Sequence, residues 1–89
     1  MDEEQWEYVK RIDSIRHKVG EGSGKVLDFL KENYREAAFM NGEAIANRCG
    51  VDPAVVTRIS QRLGYFGFPD VHREIQDRVK ADLAAIDAD

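Results

Sequence analysis

Cysteine is all but missing from this sequence: Cys49 stands alone among 89 residues. A lone thiol closes no intrachain disulfide, so the chain is read as suited to a reducing cytoplasm, with Cys49 a core residue. Histidine is nearly as scarce. His17 and His72 have no Cys or His partner at zinc-ligand spacing and no nucleophile beside them, so neither a metal centre nor a nucleophile–base pair is indicated. No apolar run approaches the roughly twenty residues needed to cross a bilayer, and the first residues are acidic where a secretory leader would be basic. No alternating apolar and polar run marks a strand. What remains is an all-α chain with no membrane span, cofactor or metal. Asp70, Glu74 and Asp77 recur at helical spacing, which describes a polar face and not an acid–base pair, so no enzymatic activity is expected.

A basic excess is the other thing lacking. The net charge is −4, without the bias common in nucleic-acid binders. The acid is concentrated at the two ends, whereas in residues 42–68 three arginines outweigh Glu43 and Asp52 and leave the only net-positive segment. An acidic flank away from a DNA groove weakens non-specific phosphate attraction without forbidding a specific contact, so modest and strongly salt-sensitive affinity is expected.

That positive segment carries the pattern around which the chain is read. From about Gly42 to Cys49 a helix directs Ala44, Ile45 and Cys49 inward, with Ala46 small enough for a second helix to cross closely. Gly50 breaks it, since glycine takes positive φ at little cost, and Val51 drops back into the core. Asp52 and Pro53 restart the chain as N-cap and first helical residue. In the helix from Pro53 to Leu63, Val56, Ile59 and Leu63 form an apolar stripe. Pro53, Ala54, Thr57, Arg58 and Gln61 share the opposite face, small at its start and polar after, able to reach base edges or phosphates. The motif, about residues 42–64, predicts a helix-turn-helix whose second helix enters the major groove of double-stranded DNA; a solvated surface helix in a small bundle is the plainer alternative.

Elsewhere, Asp2-Glu3-Glu4 suits a helix N-terminus, and Trp6, Val9, Ile12, Ile15 and Val19 describe an amphipathic first helix. Its outer Lys10, Arg11, Arg16, His17 and Lys18 read as a solvated basic face, with backbone phosphate contact as the alternative. Gly20 to Gly24 is expected to be a flexible stretch with Ser23 capping the next helix, and it lacks the spacing of a phosphate loop. Lys25–Asn33 carries a short core helix, 34–39 one further turn, and Phe39 and Met40 are expected to plug the core. From Pro69 a long final helix repeats Val71, Ile75, Val79, Leu83 and Ile86. Its far half, from Val79, should leave apolar surface for a second copy, with the Trp6–Val19 helix completing the seam of a homodimer. The alternative is a helix that folds back over its own body or frays at Asp87-Ala88-Asp89. The whole is read as one domain over residues 1–89, a small bundle of about five helices.

The strings Ile45-Ala46, Gly50-Val51, Val55-Val56-Thr57-Arg58-Ile59 and Arg62-Leu63-Gly64-Tyr65-Phe66-Gly67-Phe68 resemble the N-terminal helix-turn-helix domain of the RpiR family of bacterial transcriptional regulators. The resemblance extends more weakly through Val26–Leu30 and Glu32-Asn33, covering roughly residues 10–80. Three positions depart from the family pattern. Ser23 is followed by Gly24 and Lys25 where the family has Ser or Thr and then Glu, Val55 replaces a common Thr, and Ile59 a common Phe. The resemblance implies sequence-specific DNA binding and transcriptional regulation. It also implies a phosphosugar effector, but only if the family's C-terminal sugar-isomerase-like domain exists beyond this chain, which is read as either an excised DNA-binding domain or a stand-alone relative. The competing class is a helix-turn-helix used only for protein–protein interaction, which should carry exposed apolar groups on the face that here holds Arg58 and Gln61.

Overall fold

The computed structural model describes residues 6–87, which form six α-helices and one 3-10 turn and contain no strand. The helices are α1 (Glu7–Ile15), α2 (Glu21–Glu32), α3 (Tyr34–Ala37), α4 (Gly42–Cys49), α5 (Pro53–Arg62) and α6 (Phe68–Asp87), with the 3-10 turn at Arg16–Lys18. The acidic run Asp2-Glu3-Glu4 and the terminal Ala88 and Asp89 lie outside the described residues.

The α1 stripe is real but shorter than its spacing suggests. Val9 and Ile12 are buried, and the helix tightens at Ile15 before Val19 is reached. Tyr8, outside the expected stripe, is wholly buried as well. Its hydroxyl donates to the Leu30 carbonyl at 3.0 Å, and its backbone N–H donates to Glu74 at 2.8 Å. Arg78, from the far end of the sequence, donates to the Tyr8 hydroxyl at 2.8 Å and lies 3.7 Å over the Tyr34 ring. A buried hydroxyl without partners would cost a kcal/mol or more, so this network fixes how α1, α2 and α6 meet. Burial pushes the Tyr8 phenol up to about 12, against the lowering effect of Arg78, and it stays a neutral donor.

α2 begins at Glu21 and contains the stretch expected to be flexible; Ser23 does not cap it, and the N-cap position falls to Gly20. Packing explains the difference. Gly24 is buried, and a Cβ there would come within 2.8 Å of the Arg16 guanidinium carbon. Arg16 in turn forms a two-pronged pair with Asp28 at 2.9 and 3.0 Å, which holds the Asp28 carboxyl below its usual range. The glycine therefore serves close approach inside a helix, and tertiary contact overrides its weak helix propensity.

Phe39 and Met40 do not plug the core: Phe39 is 86% exposed and Met40 half-buried. The short α3 turns so that Ala37 and Ala38 face inward against α6, where their carbonyls meet His72 at 3.1 Å and Gln76 at 3.3 Å. Alanines let α3 and α6 approach closely, and the large ring is displaced to the surface. α6 is anchored again farther along, where Asp82 accepts from the Tyr34 hydroxyl and pairs with Arg35 at 3.2 Å. Val71, Ile75 and Arg78 are buried, whereas Leu83 and Ile86 are exposed. No helix among the described residues is long and apolar enough to cross a membrane.

Candidate nucleic-acid interface

Local chemistry builds the motif. Asn41 caps α4, its side chain accepting from the Ala44 N–H at 2.8 Å. Gly50 takes φ 71° at the end of α4, a left-handed conformation that side-chain-bearing residues adopt at a cost, and the Val51 N–H returns to the Ala46 carbonyl at 2.9 Å. Asp52 then caps α5 by accepting from the Ala54 N–H at 2.8 Å, with Pro53 leading the helix. α5 packs against α4, α2 and α6. Val56, Ile59 and Leu63 are buried, as are Ile45 and Ala46 across from them. Cys49, expected inside, is only half-buried; its thiol lies 3.8 Å from the Lys25 carbonyl, and burial pushes its pKa up. Ser60, which no apolar pattern reveals, is also buried, its hydroxyl satisfied by the Val56 carbonyl at 2.8 Å.

The five residues singled out from the sequence, Pro53, Ala54, Thr57, Arg58 and Gln61, are all exposed on α5. No ion pair or hydrogen bond engages the Arg58 side chain among the described residues. Its guanidinium can therefore offer paired N–H donors to a guanine edge or a phosphate without first breaking a bond. Gln61 is tethered: its side-chain nitrogen donates to the Phe66 carbonyl at 3.1 Å. A two-pronged contact to adenine would require that bond to open, whereas the side-chain oxygen is not used in it.

The far end of α5 is set by groups outside the motif. Arg11 pairs with Glu7 at 3.1 Å, donates to the Leu63 carbonyl at 3.2 Å and lies 4.9 Å over the Tyr65 ring, so a residue read as solvated caps the helix. Tyr65 donates to Glu74 at 2.8 Å; burial and then this carboxylate push its pKa upward. Arg62 reaches back to the Lys18 carbonyl at 3.5 Å, setting the 3-10 turn beside the last turn of α5. Phe66, in the turn after α5, is 94% exposed. Sequence reasoning missed the Arg11, Arg62 and Phe66 positions. The basic run ahead of Gly20 held Arg11 and the string from Arg62 to Phe68 held the other two, but the partners of Arg11 and Arg62 lie more than forty residues away.

Two short helices at a glycine turn, the second presenting a polar outer face over an apolar inner one, define a helix-turn-helix protein. The family described as helix-turn-helix domain, rpiR family, matches residues 6–82. The chain belongs to that family. Comparison with curated proteins finds no match, and comparison with solved structures finds none either.

Proposed function

We propose that this chain is the DNA-reading part of an RpiR-type transcriptional regulator, acting in the cytoplasm, with α5 lying in the major groove of double-stranded DNA. The observation that carries the reading is the division of α5. Every residue on its outer face is small or polar, and Arg58 stands there without a partner among the described residues, while Val56 and Ile59 of the same helix are buried and Val55 is half-buried. In this reading Arg58 and Gln61 contact bases or phosphates, Thr57 supports them, and Pro53 and Ala54 permit close approach. Asp52 keeps its capping bond and reads nothing.

Selection from a random pool of duplexes at low and moderate salt tests the proposal. A recurring short sequence should emerge at both. Retention of all sequences alike, or of none, would contradict it. A second reading, a helix-turn-helix that binds protein and no DNA, draws on the exposed Phe66 beside Gln61. It predicts that no sequence is enriched.

The assembly proposed is a homodimer. The α1 stripe cannot complete the seam, because Val9 and Ile12 are spent on the protein's own core. The outer half of α6 supplies it instead, beginning at Leu83 and not at Val79, which packs partly against the core. Leu83 is 57% and Ile86 69% exposed. Leu83 and Phe39 border a groove of about 340 Å³ that also takes in Val79 and Lys80, and Ile86 lies one helical turn beyond Leu83. Paired about a two-fold axis, equal patches meet. Two recognition helices about 34 Å apart would then engage adjacent half-sites and multiply two modest affinities, which an acidic chain needs. Light scattering at micromolar concentration should give twice the chain mass for the wild type and the chain mass for Leu83→Glu. A wild-type monomer would overturn the seam.

A further inference from the structure

We propose that Lys18 and Arg62 form a contact to the DNA phosphate backbone alongside the base-reading face of α5, an assignment that rests on the DNA-binding reading above. It follows from where the chain leaves its positive charge unneutralised. Among the described residues, carboxylates engage Lys and Arg side chains of α1, the 3-10 turn, α2, α3, α4 and α6 but none of α5. Lys10, Lys18, Arg58, Arg62 and Lys80 have no carboxylate partner among the described residues; of these, Arg58 and Arg62 share α5, and the turn that carries Lys18 lies beside Arg62. Arg62 follows Arg58 by four residues, about 6 Å along the same edge of α5, and its guanidinium touches the Lys18 carbonyl at 3.5 Å. The helix itself carries no acid, since Asp52 sits before its first residue. A protein of net charge −4 thus presents a local cationic ridge at its recognition helix.

Position separates the roles within the ridge. Arg62 lies one helical step, about 100°, beyond Gln61, on the edge of α5 turned toward the 3-10 turn. It and Lys18 therefore flank the reading face, where the sugar–phosphate strand bordering the major groove would run. Like charges at this spacing repel in the free protein, and a row of phosphates relieves that repulsion. Such contacts fix register and orientation but carry no base information.

The test is a salt titration of binding to the selected duplex and to a scrambled one, with wild type, Lys18→Gln, Arg62→Gln and the double variant. Each phosphate contact contributes about 0.9 to the slope of log affinity against log salt. Each single variant should lower the slope by about one such step, the double variant by about two, and both duplexes should weaken by the same factor so that sequence preference is kept. Lys18→Gln removes only an exposed side chain and leaves the carbonyl that Arg62 uses, so its fold is not at stake. A folded double variant with the wild-type slope, or with an altered preferred sequence, would overturn this assignment while leaving the DNA-binding reading in place. Wild-type protein that binds neither duplex at any salt would overturn both.

Discussion

Ile59→Ala will lower the unfolding free energy by about 2–5 kcal/mol, the cost of removing most of a core side chain and leaving a cavity behind. Ile59 is 3% exposed and lies in α5, which packs on α4, α2 and α6, so the walls of that cavity belong to several elements that cannot all close in together. A domain of this size has a total stability of only about 5–15 kcal/mol, so the variant should unfold at markedly lower denaturant. Loss of DNA binding would be indirect, following from the population of unfolded chain. Urea unfolding followed by circular dichroism measures the effect. A cost within about 0.5 kcal/mol, the range of surface substitutions, would mean that the buried and outer faces of α5 are exchanged.

Arg58→Ala will leave stability nearly untouched and weaken specific DNA binding. The side chain is exposed and has no partner among the described residues, so truncation removes no contact seen there. A good two-pronged base contact is worth about 1–3 kcal/mol of discrimination, which corresponds to a loss of about 5- to 140-fold in affinity. The signature that separates Arg58 from Lys18 and Arg62 is relaxed preference at one base position. Anisotropy titrations with the selected duplex and its single-base variants measure it. A folded Arg58→Ala protein with unchanged affinity and unchanged preference would remove Arg58 from the reading face.

The motif was legible because its signals are local. Gly50, Asp52 and Pro53 act within a few residues of themselves, and the spacing of Val56, Ile59 and Leu63 needs no knowledge of the partner helix to be read as a face. The six described helices follow the same logic, with the turn at 34–39 appearing as a helix of its own. What could not be read depends on residues distant in sequence. Gly24 looks like a loop residue until Arg16 is seen lying over it. Tyr8 and Arg78 break their apolar patterns, yet each is buried because the other is there, seventy positions away. Phe39 has every sequence reason to be core and is outside because two alanines fit the approach of α6 better. At the candidate site, sequence pattern shows which face of α5 is polar. It does not show that Arg62 meets the turn at Lys18.

The central claim is that the outer face of α5 is the surface that meets DNA. Titrating ¹⁵N-labelled protein with the selected duplex, and following amide and arginine side-chain resonances, tests it most directly. The account predicts the largest shifts at Ala54, Thr57, Arg58 and Gln61, smaller ones at Lys18 and Arg62 that fade with salt, and little change at the buried positions Val71 and Ile75 of α6. Shifts centred instead on Phe39, Leu83 and Ile86, with α5 silent, would contradict it.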